Sequence, residues 1–270
     1  HVLNKLTSGK VHLSVSADEM GFFDKLDKVE LYRVYGKHPA GNVGVQINKI
    51  SPLNKGEKVW TVKPQDVALI GRVFSSGKYD VTRVFAFAGS EVEKPQYYRA
   101  KYGADLTGLF RKHVKNSKVR FISGDVLSGK NMGNNTSLGF YNSLITVIPE
   151  GDYYTFFGWM PFTQNQKLSL SRSFFSWLTP NKEYVLDTNM NGEERALVLT
   201  GEMEQVFPMD IYPMQLLKAA LVKDIDKMEN LGIYEVAPED FGLIDFSNTS
   251  KLEAQEVIRE ALDLMIKEVG

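Results

Sequence analysis

The chain runs to 270 residues without a single cysteine. That absence removes disulfides, zinc–thiolate centres, cysteine-ligated iron–sulfur clusters and thiol nucleophiles together. The fold must then be held by apolar burial, and a hydrophobic content of 43% is the supply of an ordinary soluble protein. Its four histidines, His1, His12, His38 and His113, are scattered with no second histidine nearby, so a transition-metal centre is not expected. Lys+Arg total 32 against 33 Asp+Glu, which leaves no global field to draw nucleic acid or an anionic membrane. The length predicts about two domains.

Residues 1–20 lack an apolar core followed by a small-residue cleavage site, so no signal peptide is read there. The uncharged stretch 131–149 is rich in asparagine and 153–166 is shorter than a bilayer core, so no membrane span is expected. A soluble cytoplasmic chain fits this pattern. The first residue is His1 rather than Met, and the chain is read as a piece of a longer protein.

Residues 10–16 and 28–34 concentrate β-branched residues and predict strands, with a helix around Asp18–Leu26 between them. A glycine-rich loop follows over Gly36–Gly44. Residues 65–74 place Val67, Ile70, Gly71 and Phe74 on one helical face, closed by Ser75-Ser76-Gly77. Residues 1–80 therefore read as an α/β layer. From Val81 the pattern shifts to short strands, VTRVFAFAG, KVRFISGD and SLITVI, around one helix at Leu106–Val114. That predicts a small α+β module over 81–150. An aromatic, turn-rich connecting region of strand character spans 151–205. Residues 206–270 are helical; Ser250-Lys-Leu-Glu253 reads as a capping box, and Leu252, Ile258, Leu262, Met265 and Val269 form an apolar stripe.

Gly124–Lys130 has the glycine and lysine spacing of a phosphate-binding loop, but Asn131 stands where Ser or Thr would hold magnesium. The following MGNNTSLG is a poor helix start, so a turn between strands is expected instead. The glycines at 36, 41 and 44 do not match the dinucleotide fingerprint. His38, made extended by Pro39, either polarises a ligand carbonyl, faces a partner, or is a loop histidine satisfied by backbone. Residues 153–162 hold six aromatics, a density that fits core, subunit interface, or a stacking surface for a flat redox ligand such as a quinone.

Several segments in combination resemble the A-subunit of the bacterial Na+-translocating NADH:quinone oxidoreductase. They are Gly36–Gly41, Gln65–Val67, Arg120–Gly124 with Leu127–Gly129, Phe157–Trp159, Ser171–Phe174 and, most strongly, Phe207-Pro-Met-Asp-Ile-Tyr-Pro213 with Leu231-Gly232 and the ending Leu262–Gly270. The resemblance runs the whole length, with the family's lipoyl-like region and the start of its nucleotide-binding-like domain missing. It implies a peripheral subunit on the cytoplasmic face of the bacterial inner membrane, associated with the quinone-reducing step of a complex that passes electrons from NADH to ubiquinone while pumping sodium. Its partners would be the other subunits, the membrane ones above all, and ubiquinone. The order of domains implied is a partial Rossmann-like layer, an SLBB-type β-grasp module and a helical C-terminal domain.

The same family is related to the C-subunit of the Rnf electron-transport complex, which carries two clusters in C-x2-C-x2-C-x3-C-P runs. Aligned on Phe207-Pro208, the first run falls on Leu197, Thr200, Met203 and Phe207; the second falls on Pro238, Phe241, Ile244 and Asn248. Gly201 and Gly242 take the matching glycine places. The resemblance thus implies a ferredoxin-like scaffold that has lost both clusters and binds no redox cofactor of its own. No catalytic residue is assigned. Gly36, His38, Pro39, Gly41 and Trp159 stand as candidate quinone or partner contacts, with His38 or His113 conceivable as a proton donor. A non-catalytic assembly module that docks membrane subunits is the alternative reading.

Overall fold

The alternation along residues 82–88 and the 3.6-residue period after residue 254 are the two strongest patterns, and each seeds a separate core. A computed structural model describes residues 1–19, 21–158, 160, 167–169, 172 and 174–269. In chain order the elements are α1 (Leu3–Leu6), β1 (His12–Ser16), β2 (Glu30–Val34), α2 (Val43–Ile50), α3 (Pro64–Ser76), β3 (Thr82–Ala88), β4 (Gln96–Lys101), α4 (Thr107–Lys112), β5 (Val119–Ser123), β6 (Lys130–Asn131), β7 (Leu144–Pro149), α5 (Glu202–Val206), α6 (Pro213–Leu221), α7 (Ile225–Asn230), α8 (Gly242–Ser247) and α9 (Ala254–Glu268). The chain divides into two units. One joins His1–Lys78 to Glu204–Ile244 and Glu253–Gly270; the other holds Tyr79–Met203 and Asp245–Leu252.

In the first unit β1 and β2 pair in parallel, from His12 opposite Glu30 to Ser16 opposite Val34. The helix expected around Asp18–Leu26 is reduced to a 3₁₀ turn at Phe23–Lys25, because the segment has no repeating apolar face to bury. Pro64 starts α3 and Gly77, at φ +68°, closes it, as proline at a helix entrance and glycine past its exit favour. The apolar face expected on α3 is there but uncovered: no residue of the helix is buried, and Phe74 is 69% exposed. The core of this unit lies in its C-terminal segments, where Leu216, Leu217, Met228, Ile233, Phe241 and Ile258 are fully buried. Helix α9 lays Ala254, Ile258, Ala261 and Met265 against α6 and the 3₁₀ turn Pro238–Phe241. Two of the five stripe residues, Ile258 and Met265, are in that line; alanines fill the other places, which lets the helices approach closely. The capping box does not form. Ser250 Oγ donates to Asn248 Oδ1 at 2.8 Å, and Leu252 N donates to the same oxygen at 3.2 Å, so these side chains build a local turn and the helix opens four residues after Ser250.

The second unit is a five-stranded sheet in the order β4-β3-β7-β5-β6, with β3 and β7 parallel at its centre and the other pairs antiparallel. Phe85 and Phe87 of β3 and Ile145 and Val147 of β7 face a core closed by Phe110 of α4. Phe110 stacks between Phe87 and Phe121, at 5.7 and 4.6 Å between ring centroids. Gly89 has φ +127°, and a Cβ there would lie 2.1 Å from the Val147 carbonyl oxygen. Only glycine lets β3 leave the sheet beside β7.

Gly124–Lys130 is a turn joining β5 to β6, as expected. Asp125 Oδ1 accepts from the amides of Leu127 and Ser128 at 2.8 and 2.9 Å. Burial pushes the Asp125 carboxyl up, but the Ser128 amide and hydroxyl and the Leu127 amide outweigh it and hold it below the usual value. Residues 151–200 depart from their strand reading. Among the described residues of that stretch there is no strand, only a 3₁₀ turn at Phe175–Leu178. The described aromatics there have β propensity, but none of the described residues of the stretch joins a strand. Tyr154 and Phe156 are 103% and 86% exposed, so these members of the aromatic run are not core.

Candidate functional site

Strand β2 is followed by a glycine-bearing loop and the N-terminus of α2. In this chain a carboxylate from the C-terminal part of the same unit stands there. Asp240 is 2% exposed, and a Cβ built on Gly44 would lie 2.3 Å from its Oδ2. The amide of Ala237 donates to that oxygen at 2.9 Å. Burial, with the Glu239 carboxylate beside it, holds the Asp240 carboxyl above its ordinary value, against the Ala237 and Val45 amides and the Asn42 side chain.

A polar seam extends from this point. Asn42 Nδ2 donates to the Glu239 carbonyl at 3.1 Å and Asn48 Nδ2 to Glu235 Oε2 at 2.8 Å. Lys55 pairs with Glu229 at 2.8 Å, and the Tyr234 hydroxyl donates to the same carboxylate at 2.6 Å. Lys55 and Tyr234 hold the Glu229 carboxyl low; burial and then Glu229 push the Tyr234 phenol up to about 12.

Four of the residues singled out from sequence lie in the loop between β2 and α2. Gly36, His38 and Gly41 are exposed and Pro39 is half-buried; the His38–Pro39 peptide is cis. Gly36 has φ +125°, whereas a Cβ on Gly41 would meet nothing within 4 Å. His113 lies in the other unit, its ring 6.1 Å from that of Tyr98. Trp159 lies outside the described residues.

The eight positions aligned with cluster ligands behave differently. Leu197 is half-buried and Thr200 exposed; Met203, Phe207, Pro238, Phe241, Ile244 and Asn248 are buried. Phe207 from one run and Phe241 from the other meet with ring centroids 4.8 Å apart. Asn248 spends its amide locally, donating to the Leu252 carbonyl at 3.2 Å. Two residues escaped the sequence reading, Asp240 and the buried Arg83. A charged residue at an inward strand position is the signal that marks Arg83; nothing local marks Asp240.

This is a mixed α/β chain, and its two parts match described families. Residues 1–79 match the NqrA second alpha/beta domain, and residues 84–133 match the NQRA C-terminal domain, an SLBB-type module. Over 268 residues the chain is 39% identical to the A-subunit of the Na(+)-translocating NADH-quinone reductase of Hahella chejuensis, covering 99% of this chain and 60% of that protein. The counterpart from Neisseria meningitidis serogroup B is 35% identical with the same coverage. That of Photorhabdus laumondii is 37% identical over 97% of this chain and 59% of its own length. The chain is similar to the A-subunits of the Na+-translocating NADH-quinone reductases over nearly its whole length, and it spans about 60% of the length of these relatives. Among the described residues, no helix is long and apolar enough to cross a membrane.

Proposed function

We propose that this chain is the part of a peripheral subunit, on the cytoplasmic face of the bacterial inner membrane, that serves the quinone-reducing step of a sodium-pumping NADH:ubiquinone reductase without a redox cofactor of its own. Residues 1–80 then belong to a Rossmann-like layer, 81–150 to an SLBB-type β-grasp module, 151–205 to a connecting region, and 206–270 to a helical domain on a ferredoxin-like scaffold. The observation that carries the reading is the contact of Phe207 with Phe241. Two positions aligned with cluster ligands face each other as buried aromatic rings, which supply packing and no ligand atom. Asp240 against the start of α2 supports it further, since an internal carboxylate fills the helix entrance after the Gly36–Gly44 loop. The test is metal, flavin and nicotinamide analysis of the purified full-length subunit, beside NADH:quinone reductase activity of the complex rebuilt with and without it. Restored activity with no cofactor in the subunit is expected. Iron at one or more atoms per chain overturns the reading.

The docking reading is favoured by a separate observation. The α3 face and the segment before it expose Trp60 at 91% and Phe74 at 69%, along with Val59, Val62 and Val67. Monomer surfaces rarely cluster large apolar side chains without a partner. Replacing Trp60 and Phe74 with serine should leave the fold intact and lower recovery of the subunit with the membrane subunits. Unchanged recovery removes this second reading.

A further inference from the structure

Residues 153–182 hold nine aromatics and the cations Lys167, Arg172 and Lys182, but no aspartate or glutamate. At the chain's overall share of 33 Asp+Glu in 270 residues, about four acids would fall there. Among the described residues of the stretch, Tyr154, Phe156, Leu168, Trp177 and Leu178 are exposed. A few contacts tie their segments into one surface. The Phe156 and Phe157 rings meet edge-on at 4.3 Å. Lys167 Nζ donates to the Gly158 carbonyl at 2.8 Å and lies 5.6 Å from the centre of the Phe174 ring. The Ser169 amide donates to Ser176 Oγ at 3.3 Å, which holds Leu168 and its neighbours against the 3₁₀ turn Phe175–Leu178.

Positive charge gathers beside these rings. Lys251, from another segment of the same unit, has its Cε 3.4 Å from where a Cβ on Gly192 would stand, and the Arg195 amide donates to the Ser250 carbonyl at 2.8 Å. Burial, then Lys167, then Arg195 push the Lys251 ammonium below its ordinary value, so the charges acting on it are both positive. The whole chain carries a formal charge of −1, which makes this field a local one. Exposed aromatics in such number call for an occupant. Protein interfaces are enriched in aromatics but depleted in lysine. Lysine and arginine beside tyrosine and tryptophan, with acids left out, instead suit the headgroup layer of an anionic bilayer. There the rings bury their apolar bodies while the cations meet lipid phosphates.

We propose that the surface carrying Tyr154, Phe156, Leu168, Trp177 and Leu178 docks directly on an anionic lipid bilayer, its rings entering the headgroup layer and Lys167, Arg172 and Lys182 drawing it to the lipid phosphates. Among the described residues no helix can span a membrane, so the contact is interfacial. It lies in the unit that does not contain the exposed Trp60 and Phe74, and its occupant is lipid. The proposal stands on these residues alone and does not depend on the quinone reading.

The test is co-sedimentation of the 270-residue chain with vesicles of phosphatidylcholine alone and of phosphatidylcholine containing phosphatidylglycerol. The wild-type chain should sediment with the anionic vesicles and not with the neutral ones, and should be released as added sodium chloride screens the lipid charge. Arg172→Gln and Lys182→Gln should each weaken binding about fivefold, the value of one basic side chain near an anionic surface. Tyr154→Ser and Phe156→Ser should each weaken it about tenfold, the lower value for burying a large apolar side chain. Both ring positions are exposed, so the circular dichroism spectrum should not change. No sedimentation of the wild-type chain with anionic vesicles overturns the proposal. So does equal binding to neutral vesicles, and so does binding that all four substitutions leave unchanged, which puts the lipid contact elsewhere. If the wild-type chain ignores vesicles but the ring substitutions lower its recovery with the membrane subunits in detergent, the surface belongs to a protein and the proposal falls. None of these outcomes touches the cofactor content of the subunit or its part in quinone reduction, which the rebuilt complex reports separately.

Discussion

Replacing Gly44 with alanine isolates the contact on which the first unit depends. In a free helix that change is favourable by up to about 1 kcal/mol, because glycine has the larger backbone entropy to lose. Here the new methyl would lie 2.3 Å from Oδ2, 2.8 Å from Oδ1 and 2.9 Å from Cγ of Asp240. A carboxylate with 2% exposure has no solvent to swing into, and moving it breaks the 2.9 Å hydrogen bond from the Ala237 amide. Overpacking of this kind costs about 1–3 kcal/mol, and a broken hydrogen bond to a charged group about as much again. Net destabilisation of about 2–4 kcal/mol is expected after the helix gain is subtracted. The assay is urea denaturation followed at 222 nm, with hydrogen exchange of α2 peptides as a local readout. The double variant with Asp240→Ala supplies the cycle: with the carboxylate gone, Gly44→Ala should be neutral or stabilising, giving a coupling energy of at least about 2 kcal/mol. If Gly44→Ala stabilises the chain to the same degree in both backgrounds, the close approach of α2 to Asp240 is wrong.

Asp240 also makes a pH prediction. Its folded-state carboxyl is raised, so the stability it contributes is complete below the unfolded value and is lost as pH rises through the folded one. Asp240→Asn, which cannot ionise, should therefore gain on the wild type as pH increases from 4 towards 7; urea midpoints at pH 4, 5, 6 and 7 showing the opposite trend would refute it. In the second unit, Gly89→Ala puts a Cβ 2.1 Å from a backbone oxygen at φ +127°. It should cost upwards of about 3 kcal/mol, since neither the strain nor the main chain of β7 can relax cheaply. A shift in melting temperature of less than 3 °C would count against the register of β3 and β7.

What could be read from the residues was whatever buries one face against a regular neighbour. Phe85 and Phe87 alternate, so β3 was legible; Leu144–Pro149 is an apolar run, so the central strand β7 was legible too. Strand β4 was missed because Gln96, Tyr97, Arg99 and Lys101 are polar or exposed, which is how an edge strand looks. Tyr153, Tyr154, Phe156 and Phe157 misled in the opposite direction, since β propensity alone did not place these residues in a strand. Helix α9 was placed, but its opening was set by Asn248 and Ser250 bonding to each other, a competition invisible in a capping-box spacing. Of the sites, the loop after β2 was legible from its glycines. Its partner Asp240 lies about two hundred residues away in sequence, and no local pattern encodes a contact of that span.

That separation has a consequence for how the first unit holds together. Within residues 1–78 only Val45, among the described residues, is buried. A two-stranded sheet cannot stand on its own, because it needs a third strand or a packed face. Helix α3 contributes no buried residue. Ordering α2 therefore depends on the distant segment 229–240, through Lys55–Glu229, Asn48–Glu235 and the Asp240 contact. Exposed polar contacts are each worth about 1 kcal/mol or less, so they align the seam rather than hold it; the apolar core of 204–268 supplies the rigid surface they need. Residues 1–78 produced alone should accordingly give a collapsed amide spectrum by nuclear magnetic resonance, with no cooperative melt. The same amides should be dispersed in the 270-residue chain. A dispersed, cooperatively melting 1–78 fragment would show that the layer carries a core of its own, and the seam would then be a contact between two independent folds instead of the condition for one of them.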